Sequence, residues 1–407
     1  MGANYQFKAD KIFQIKLTGK FFFLPDVSNF DTIILKINVE SESIFKYFSL
    51  PFLMLKTKNF KQKYFLQKHN RGIRYFDITN CKNIIGGSDK IFLASNKLHF
   101  SSDINLICFN NNIANDVKVL VIAPHPDDAE LAAFNFYRKH NSVIVTITAG
   151  EDGPNFYQKY YSNDRKKQYI LKGKMRVFDS ITTPLLGNVT SNNAINLGYF
   201  DNTIYQMWKD PDKTVISNYT EIDNVDFFRS KNSKNFIKMS RCQVTWHNLV
   251  ADLKEVIEKV KPDIIVLPHP ELDSHKDHKY VAHAVFAATK KISCKGSKYF
   301  FYITHATFSE RYPYGPKHSA ATLPFNKNRL ISNYKIYSSL LSKEEQIEKE
   351  MAINTMHDLR YPPDQICSII NSFKHAVLPR FKEINAWHDY YRRFVRANEI
   401  FLVQEIE

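Results

Sequence analysis

Residues 117–130, with the sequence VKVLVIAPHPDDAE, place the tightest constraint on how this chain can fold. Their first half is an apolar run without charge after Lys118, typical of a strand buried on both faces, and it ends at Pro124. A polar loop follows, and the apolar periodicity of a helix begins at Leu131. The order of strand, loop and helix places the polar loop at the carboxyl end of a parallel strand, where open α/β sheets bind their ligands.

The polar loop contains one imidazole and two carboxylates, from His125, Asp127 and Asp128. This combination at a sheet edge indicates a metal site. A plainer interpretation is a helix start, in which one of the aspartates is the N-cap and Glu130 complements the helix dipole. That interpretation accounts for the acids and leaves His125 unexplained.

A second strand, loop and helix repeat this arrangement further along the chain. Residues 262–268 (PDIIVLP) form a short apolar run, residues 271–278 (ELDSHKDH) a loop rich in His and Asp, and residues 280–290 a helix. Because the two loops follow equivalent strands, we expect their side chains to converge at one edge of the sheet.

The two loops, PHPDDAE and DSHKDH, resemble those of the LmbE/PIG-L family of zinc-dependent N-deacetylases. Similar stretches are TAGEDG at residues 148–153, LGYFDN at 197–202 and RYPYGP at 311–316. The resemblance extends from about residue 117 to the helix around Met356 and leaves the first hundred-odd residues outside it. HPDD followed by HxDH in this order is a specific signal, whereas a lone HPDD would be weak.

Matched residue by residue, the family pattern implies that His125, Asp128 and His278 bind one zinc ion per chain. The set suits Zn²⁺, which accepts imidazole nitrogen and carboxylate oxygen and keeps one position open in catalytic sites. The resemblance makes Asp127 the general base for the attacking water. It makes His275 an imidazolium that stabilises the oxyanion or protonates the leaving amine.

Asp277 is expected to orient the imidazole of His275 and to raise its pKa. Four other histidines match no motif, and we interpret them as structural: His247, His269, His283 and His305.

Three further residues match substrate-side positions of the family: Glu151, Arg176 and Asp201. Glu151 could equally be an exposed turn residue, and Asp201 could be the capping residue of a turn. Asp179 stands where the family usually has a glutamate, which puts the role of this acid in doubt.

Residues 1–112 differ from the rest of the chain. They contain short runs rich in β-branched and aromatic residues, separated by Gly, Asn, Asp and Pro turns. We predict an all-β, sandwich-like accessory domain at residues 1–112. For residues 113–407 we predict an α/β, Rossmann-like deacetylase domain, with a mostly parallel sheet and helices on both faces. Residues 203–241 form a polar, irregular insertion of the length typical of a lid or a binding loop.

The net charge of +15 over 407 residues comes mostly from lysines spread along the chain among Asn, Ile, Phe and Tyr. This distribution favours a compositional bias, and we expect no nucleic-acid partner, although a phosphate-bearing substrate stays possible. No apolar run reaches the roughly eighteen residues of a membrane span, and we expect no transmembrane segment. The five cysteines are odd in number and never form CxxC, which fits free thiols in the cytoplasm.

We therefore expect a cytoplasmic, zinc-dependent hydrolase that removes an N-acetyl group from an amino sugar or its conjugate. A metal-dependent phosphoesterase is one alternative, and it would need a second metal ion and more clustered carboxylates or histidines. An inactive carbohydrate-binding protein is another, and it predicts the loss of a metal ligand or of the base. The sequence leaves open which sugar is used, and whether it is free, nucleotide-linked, lipid-linked or polymeric.

Overall fold

The computed structural model of the chain describes residues 5–41, 50–58, 60–67, 71–83, 90–153, 157, 160–232, 241–292, 294, 296–307, 312–326, 330–359 and 390–406. The strands over these residues are β1 (Tyr5–Phe7), β2 (Lys11–Lys16), β3 (Phe21–Phe23), β4 (Thr32–Ser41), β5 (Phe52–Lys56), β6 (Lys61–Phe65), β7 (Arg71–Asp77), β8 (Lys90–Asn96), β9 (Leu98–Phe109), β10 (Lys118–Ala123), β11 (Asn141–Thr148), β12 (Ala194–Tyr199), β13 (Ile264–Pro268), β14 (Lys298–Tyr302), β15 (Ile331–Leu340) and β16 (Asn398–Glu405). The α-helices are α1 (Asp128–Arg138), α2 (Arg165–Thr182), α3 (Ile204–Lys209), α4 (Asp226–Arg229), α5 (Trp246–Val260), α6 (Lys276–Thr289) and α7 (Lys343–Thr355).

The chain divides into two compact units. Unit 1 comprises Met1–Ile113, Ala306–Ile347 and Pro362–Gln404, and unit 2 comprises Ala114–His305, Glu348–Tyr361 and Glu405–Glu407. Unit 1 thus includes two segments from the last hundred residues of the chain. The predicted boundary at residue 112 assigns those segments to the second domain, and independent folding of residues 1–112 stays a prediction.

The N-terminal region forms antiparallel sheets, as predicted. One sheet has the strand order β2-β9-β4-β7 and the other β3-β8-β5-β6. Alternate residues of β4, including Ile33, Leu35 and Ile37, join Leu53 of β5 and Leu93 of β8 in one buried cluster. The two sheets therefore share a core, and each fully buried aliphatic side chain in it contributes roughly 1.5–3 kcal/mol.

The later segments of unit 1 are tied to this β structure by buried polar contacts. Asp77, at the end of β7, accepts a hydrogen bond from Asn398 Nδ2 at 2.6 Å and one from the hydroxyl of Ser338. Asn111 donates to the carbonyl of Ile336 at 2.9 Å. Burial raises the pKa of Asp77, although these donors favour its charged form. The segments carrying β15 and β16 thus complete the surroundings of a buried carboxyl group.

Unit 2 contains the predicted α/β core. Its five strands run parallel in the order β14-β13-β10-β11-β12. The chain builds β10, β11 and β12 toward one side and then returns to place β13 and β14 on the other side of β10. The point where the order reverses lies between β10 and β13, which is where open α/β sheets form a crevice for ligands.

Within the described ranges, no helix combines the length and the apolar character that crossing a bilayer requires.

A chain that begins at Ala114 tests the predicted boundary. We expect it to unfold at a lower temperature than the full chain, because Ser338, Asn398 and Ile336 lose buried hydrogen-bond partners worth about 0.5–1.5 kcal/mol each. Thermal unfolding and limited proteolysis of residues 306–347 are the measurements. A truncated chain as stable as the full chain would support the boundary at residue 112.

Candidate metal centre

The first loop is a tight turn between β10 and α1. The backbone N–H of Asp127 donates to the carbonyl of His125 at 2.8 Å, and the N–H of His125 donates to Asp128 Oδ2 at 2.9 Å. Asp127 occupies the N-cap position of α1, but its side chain makes no capping hydrogen bond and instead lies 3.3 Å from Nη2 of Arg176. Helix capping therefore does not explain this carboxylate. Glu130 is buried, and burial raises its pKa to about 8.

The second loop ends with His275 at the N-cap of α6. Nδ1 of His275 accepts a hydrogen bond from the backbone N–H of Asp277 at 3.3 Å. The N–H of His275 in turn donates to Asp273 Oδ1 at 3.0 Å. His278 follows in the first turn of α6, where its side chain is buried.

The two loops bring the three predicted zinc donors together. His125 Nδ1 lies 3.1 Å from His278 Nε2 and 3.3 Å from Asp128 Oδ2, and the latter two atoms are 3.1 Å apart. Donors in a tetrahedral zinc site with bonds of about 2.0–2.1 Å lie ~3.3 Å from one another. The donor set and its spacing therefore fit a metal ion of this size.

Carboxylates contact the outward nitrogen of each donor imidazole. His278 Nδ1 lies 3.1 Å from Asp273 Oδ2, and His125 Nε2 lies 3.1 Å from Asp201 Oδ1. Such carboxylates fix the tautomer and the ring orientation of a metal-binding histidine. Asp273 stands in the DSHKDH motif but is not among the site residues predicted from the sequence. A carboxylate five residues before a predicted histidine ligand was the available signal.

Asp273 also anchors a third segment. Its Oδ2 atom accepts hydrogen bonds from the backbone N–H groups of Thr304 at 3.0 Å and His305 at 3.1 Å. Burial disfavours its charge, but the His278 imidazole and these donors lower the pKa of Asp273 to about 2. Asp273 is therefore a fixed negative charge beside the metal donors.

The contacts of Asp277 differ from those predicted. Its Oδ2 atom lies 3.4 Å from Nε2 of His125 and accepts the N–H of Asn202 at 2.7 Å, while Oδ1 accepts the N–H of Ile204 at 3.3 Å. At the second position of α6 the carboxylate points toward the loop before α3, and only its backbone N–H contacts His275.

His275 also differs from expectation in its electrostatics. Its ring centroid lies 4.7 Å from that of His125 and 5.0 Å from that of His278. Burial, followed by the positive charge of these neighbours, lowers the pKa of His275 to about 3, whereas the sequence analysis expected Asp277 to raise it. His275 is therefore a neutral imidazole in this arrangement.

His305, interpreted from the sequence as structural, lies within the same cluster. Together with Asp128 and His278 it forms a group whose ligand atoms are close enough to hold a metal ion, and His125, His275 and His278 form another such group. A third group comprises His125, Asp201 and Asp277. The structure therefore gathers more potential ligands than the two motifs predict.

The three substrate-side residues all lie around this cluster. Asp201 approaches His125, as described above. Glu151 is buried and accepts hydrogen bonds from the N–H of Asp201 at 3.2 Å and the hydroxyl of Ser217 at 2.8 Å. Burial, followed by the charge of Asp201, raises the pKa of Glu151 to about 8. Glu151 is thus a buried link between the loop after β11 and the 203–241 insertion, and no exposed turn residue.

Arg176, on α2, packs against the loop that carries Glu151. Besides Asp127, its guanidinium approaches Asp358, with Nη1 3.5 Å from Oδ2. Gly150 lies directly against it, at a φ of +66°, and a Cβ there would come within 2.5 Å of Arg176 Nε. The glycine of TAGEDG therefore allows the close approach of the arginine. Asp179, one turn further along α2, accepts the N–H of His357 at 2.7 Å.

The comparisons with known proteins concern the segment that holds both loops. Residues 120–289 match the family model described as PIG-L: GlcNAc-PI de-N-acetylase. The predicted PIG-L (LmbE-like) family is supported for this segment. No curated protein matches the chain.

Two similar solved structures show only remote likeness. GalB, the 4-carboxy-2-hydroxymuconate hydratase from Pseudomonas putida KT2440, is 11% identical, with 72% of this chain and 96% of that chain covered and a TM-score of 0.33. A family two carbohydrate esterase from Cellvibrio japonicus is 10% identical, with 74% and 91% covered and a TM-score of 0.20. At these TM-scores neither likeness bears on function.

Replacing His278 tests the metal site. We expect His278→Ala to lose most of its bound metal, because only two of the three donor residues remain. The donor atoms of the three residues lie 3.1–3.3 Å from one another in the unaltered chain. Metal content by mass spectrometry is the measurement, and His283→Ala, on the same helix, is the control. Equal metal content in His278→Ala and the unaltered chain would exclude His278 as a ligand.

Proposed function

We propose that the protein is a zinc-dependent hydrolase that removes an acetyl group from the nitrogen of an amino sugar or its conjugate. The observation that carries the proposal is the donor triangle of His125, Asp128 and His278 within a segment that matches a de-N-acetylase family model. The four described cysteines, Cys81, Cys108, Cys242 and Cys294, are free thiols, which supports the expected cytoplasmic location.

The three donors would hold one Zn²⁺ per chain, since two imidazoles and a carboxylate at tetrahedral spacing are a typical catalytic zinc set. When bound, such an ion lowers the pKa of water to about 7 and polarises a carbonyl oxygen.

Asp127 would act as the general base. Its buried carboxylate follows the donor residue His125 by two positions, and Arg176 Nη2 holds Oδ1 at 3.3 Å. Burial raises the pKa of Asp127, and the Arg176 guanidinium opposes part of that rise. A carboxylate with a raised pKa is a better proton acceptor while the arginine keeps it in its charged form. Asp127 would take the proton from the attacking water on its free oxygen.

His275 would serve the oxyanion. Because its Nδ1 accepts the N–H of Asp277, the proton of the neutral imidazole lies on Nε2. That N–H can donate a hydrogen bond to the oxygen of the tetrahedral intermediate without a full positive charge. The proton that Asp127 took from the water would then pass to the amine nitrogen as the C–N bond breaks, which releases the amine and returns Asp127 to its charged form. This proposal replaces the imidazolium expected from the sequence.

Asp277 and Asp201 would hold His125 in its ligating orientation through Nε2. Glu151 and Arg176 stay proposed substrate contacts. Both have protein partners around the cluster, so a substrate hydroxyl would add to those contacts.

A metal-dependent phosphoesterase stays the second candidate, because one observation favours it. The group of Asp128, His278 and His305 and the group of His125, Asp201 and Asp277 share no residue. Two metal ions about 3.5–4 Å apart are the arrangement that phosphoester hydrolysis often uses. Metal stoichiometry separates the candidates, since the deacetylase proposal requires one ion per chain.

Asp127→Asn should separate catalysis from metal binding. We expect it to lower the deacetylation rate by ~10²–10⁴-fold, because the base is lost, while the metal content stays unchanged. Asp116→Asn, an exposed aspartate in the same unit, is the matched control. Turnover by Asp127→Asn close to that of the control would remove Asp127 as the base.

The reaction itself is tested with N-acetylhexosamines in free, nucleotide-linked and oligomeric form. We expect equal amounts of acetate and new primary amine from at least one of them, because water attack on an acetamide yields both products. A chelator should abolish release, and added zinc should restore it. If no amine forms while a phosphoester in the same panel is cleaved, the phosphoesterase candidate takes its place.

A further inference from the structure

Unit 1 contains a cavity of about 1050 Å³ that plays no part in the proposed reaction. Its lining residues come from four stretches of the chain, residues 50–52, 60–65, 316–319 and 340–347, together with Asn80 and Ala397. The stretch 316–319 begins at the last residue of the Pro/Gly loop RYPYGP. The described members are Leu50, Phe52, Phe60, Lys61, Gln62, Lys63, Phe65, Asn80, Pro316, Lys317, His318, Ser319, Leu340, Leu341, Ser342, Lys343, Gln346, Ile347 and Ala397. Ligand pockets span roughly 300–1,000 Å³, so this cavity has room for a few sugar rings.

The charge of the lining is one-sided. It includes Lys61, Lys63, Lys317 and Lys343, and no aspartate or glutamate stands among its described members. Clustered cations repel one another, and a concave surface concentrates their field. An anion in the cavity would relieve that repulsion.

Protection of a sheet edge explains only half of this cluster. β6 is the last strand of its sheet, and lysines on edge strands discourage pairing with other chains. This accounts for Lys61 and Lys63. Lys317 and Lys343 lie on other segments and still line the same cavity, so a common ligand explains the four together.

The first turns of α7 present their basic and neutral side chains to the cavity. Lys343, Gln346 and Ile347 line it at the spacing of one helix face. Glu345 is engaged with the helix start, where its carboxylate accepts the N–H of Ser342 at 2.7 Å. Glu345 is therefore directed to the helix start and is not part of the lining.

Aromatic rings form the apolar part of the lining. The centroids of Phe52 and Phe65 are 5.5 Å apart, and Lys63 Nζ lies 4.8 Å from the Phe52 centroid. Phe60 is the third ring. Phe65 is buried, so the half-buried rings of Phe52 and Phe60 are the ones that can pack against the C–H face of a sugar. The lysines beside them would reach acidic substituents on that sugar.

Hydrogen bonds fix the backbone of residues 313–316, which lead into the part of the cavity lining at residues 316–319. The buried guanidinium of Arg396 donates to the carbonyls of Pro313, Tyr314, Gly315 and Pro316 at 2.6–3.0 Å. A Cβ at Gly315 would come within 2.4 Å of the Phe65 ring, so the loop lies directly on β6.

His318, two residues after this loop, contacts Gln346 Oε1 through Nδ1 at 2.9 Å, which links the loop to α7. The cavity is thus a preformed feature of unit 1, with its lysines carried on fixed backbone.

We propose that this cavity binds an anionic carbohydrate. The lysines pair with carboxylate or phosphate groups on the sugar, and the half-buried rings of Phe52 and Phe60 pack against its apolar faces. The cavity lies within unit 1, and binding there does not require deacetylation in unit 2.

Calorimetric titration of the full chain with three probes tests the proposal: a trigalacturonate, a glucose phosphate and neutral maltotriose. We expect an acidic probe to bind with an affinity that falls as salt is raised, and maltotriose not to bind. The first two probes distinguish a carboxylate from a phosphate source of the negative charge. Binding of neither, or equal binding of maltotriose, would overturn the proposal.

A matched pair of variants locates the binding. Lys61→Gln with Lys63→Gln should weaken binding of the acidic probe by about tenfold or more, since two charged contacts are lost. The control is Lys11→Gln with Lys16→Gln, which removes two exposed lysines from β2, the edge strand of the other sheet. An equal loss in both double variants would show surface charge alone and overturn the proposal.

Two further measurements keep the outcome clear. Lys317→Gln with Lys343→Gln provides a second variant if the β6 double variant fails to fold, and the same loss of affinity is expected. Acetate release from a small N-acetylhexosamine is measured on every variant. We expect it to be unchanged, so failure of the cavity proposal and failure of the deacetylase proposal are seen in different assays.

Discussion

The parallel pairing of β10 with β13 is the constraint on which the site depends. Val119 pairs with Ile264 and Val121 with Val266, so the two strands end side by side. Their buried aliphatic residues fix this register, since a slip by one residue would turn each side chain to the other face. Only with this register do His125 and His278, more than 150 residues apart in the chain, come within 3.1 Å. The candidate metal donors and the carboxylates around them are brought together because the two loops leave adjacent strand ends.

Buried charge then determines what this arrangement can hold. Asp128, Asp201, Asp273 and Asp277 surround two imidazoles in a site away from solvent. Several carboxylates in such surroundings are costly unless positive charge balances them. Without a metal, protons on the imidazoles supply that positive charge. Burial disfavours the charged form of His278, but the carboxylates of Asp128 and Asp273 outweigh burial and raise the pKa of His278 to about 10. A divalent cation on the same nitrogens does so with two charges and displaces those protons. The four aspartates carry more negative charge than two imidazolium ions would balance, and this excess suits the binding of a cation.

The sequence predicted that His125, Asp128 and His278 lie close together, but not which groups contact Asp277 and Asp273, for physical reasons. His125, Asp128 and His278 stand in short loops whose place follows from strand and helix periodicity, and that periodicity is local. The partner of Asp277 depends on where a side chain points from the first turn of α6, and the loop that receives it lies 75 residues earlier. Asp273 has a partner, His278, within its own motif, but its contact with Thr304 lies on another segment. Membership of β15 and β16 in unit 1 rests on pairings across the length of the chain, which local patterns do not reveal.

The net charge also shows that a property of the sequence does not reveal how residues are arranged in the fold. The value of +15 describes the chain as a whole, and its dispersed lysines indicated only a compositional bias. In three dimensions the charges are sorted: unit 2 gathers buried carboxylates around its histidines, while unit 1 lines a cavity with lysines. Electrostatic attraction acts over about 8–10 Å at physiological salt, so a ligand responds to these local sets and not to the sum. A cation and an anionic sugar can therefore be bound by one chain, each where the fold has concentrated the opposite charge.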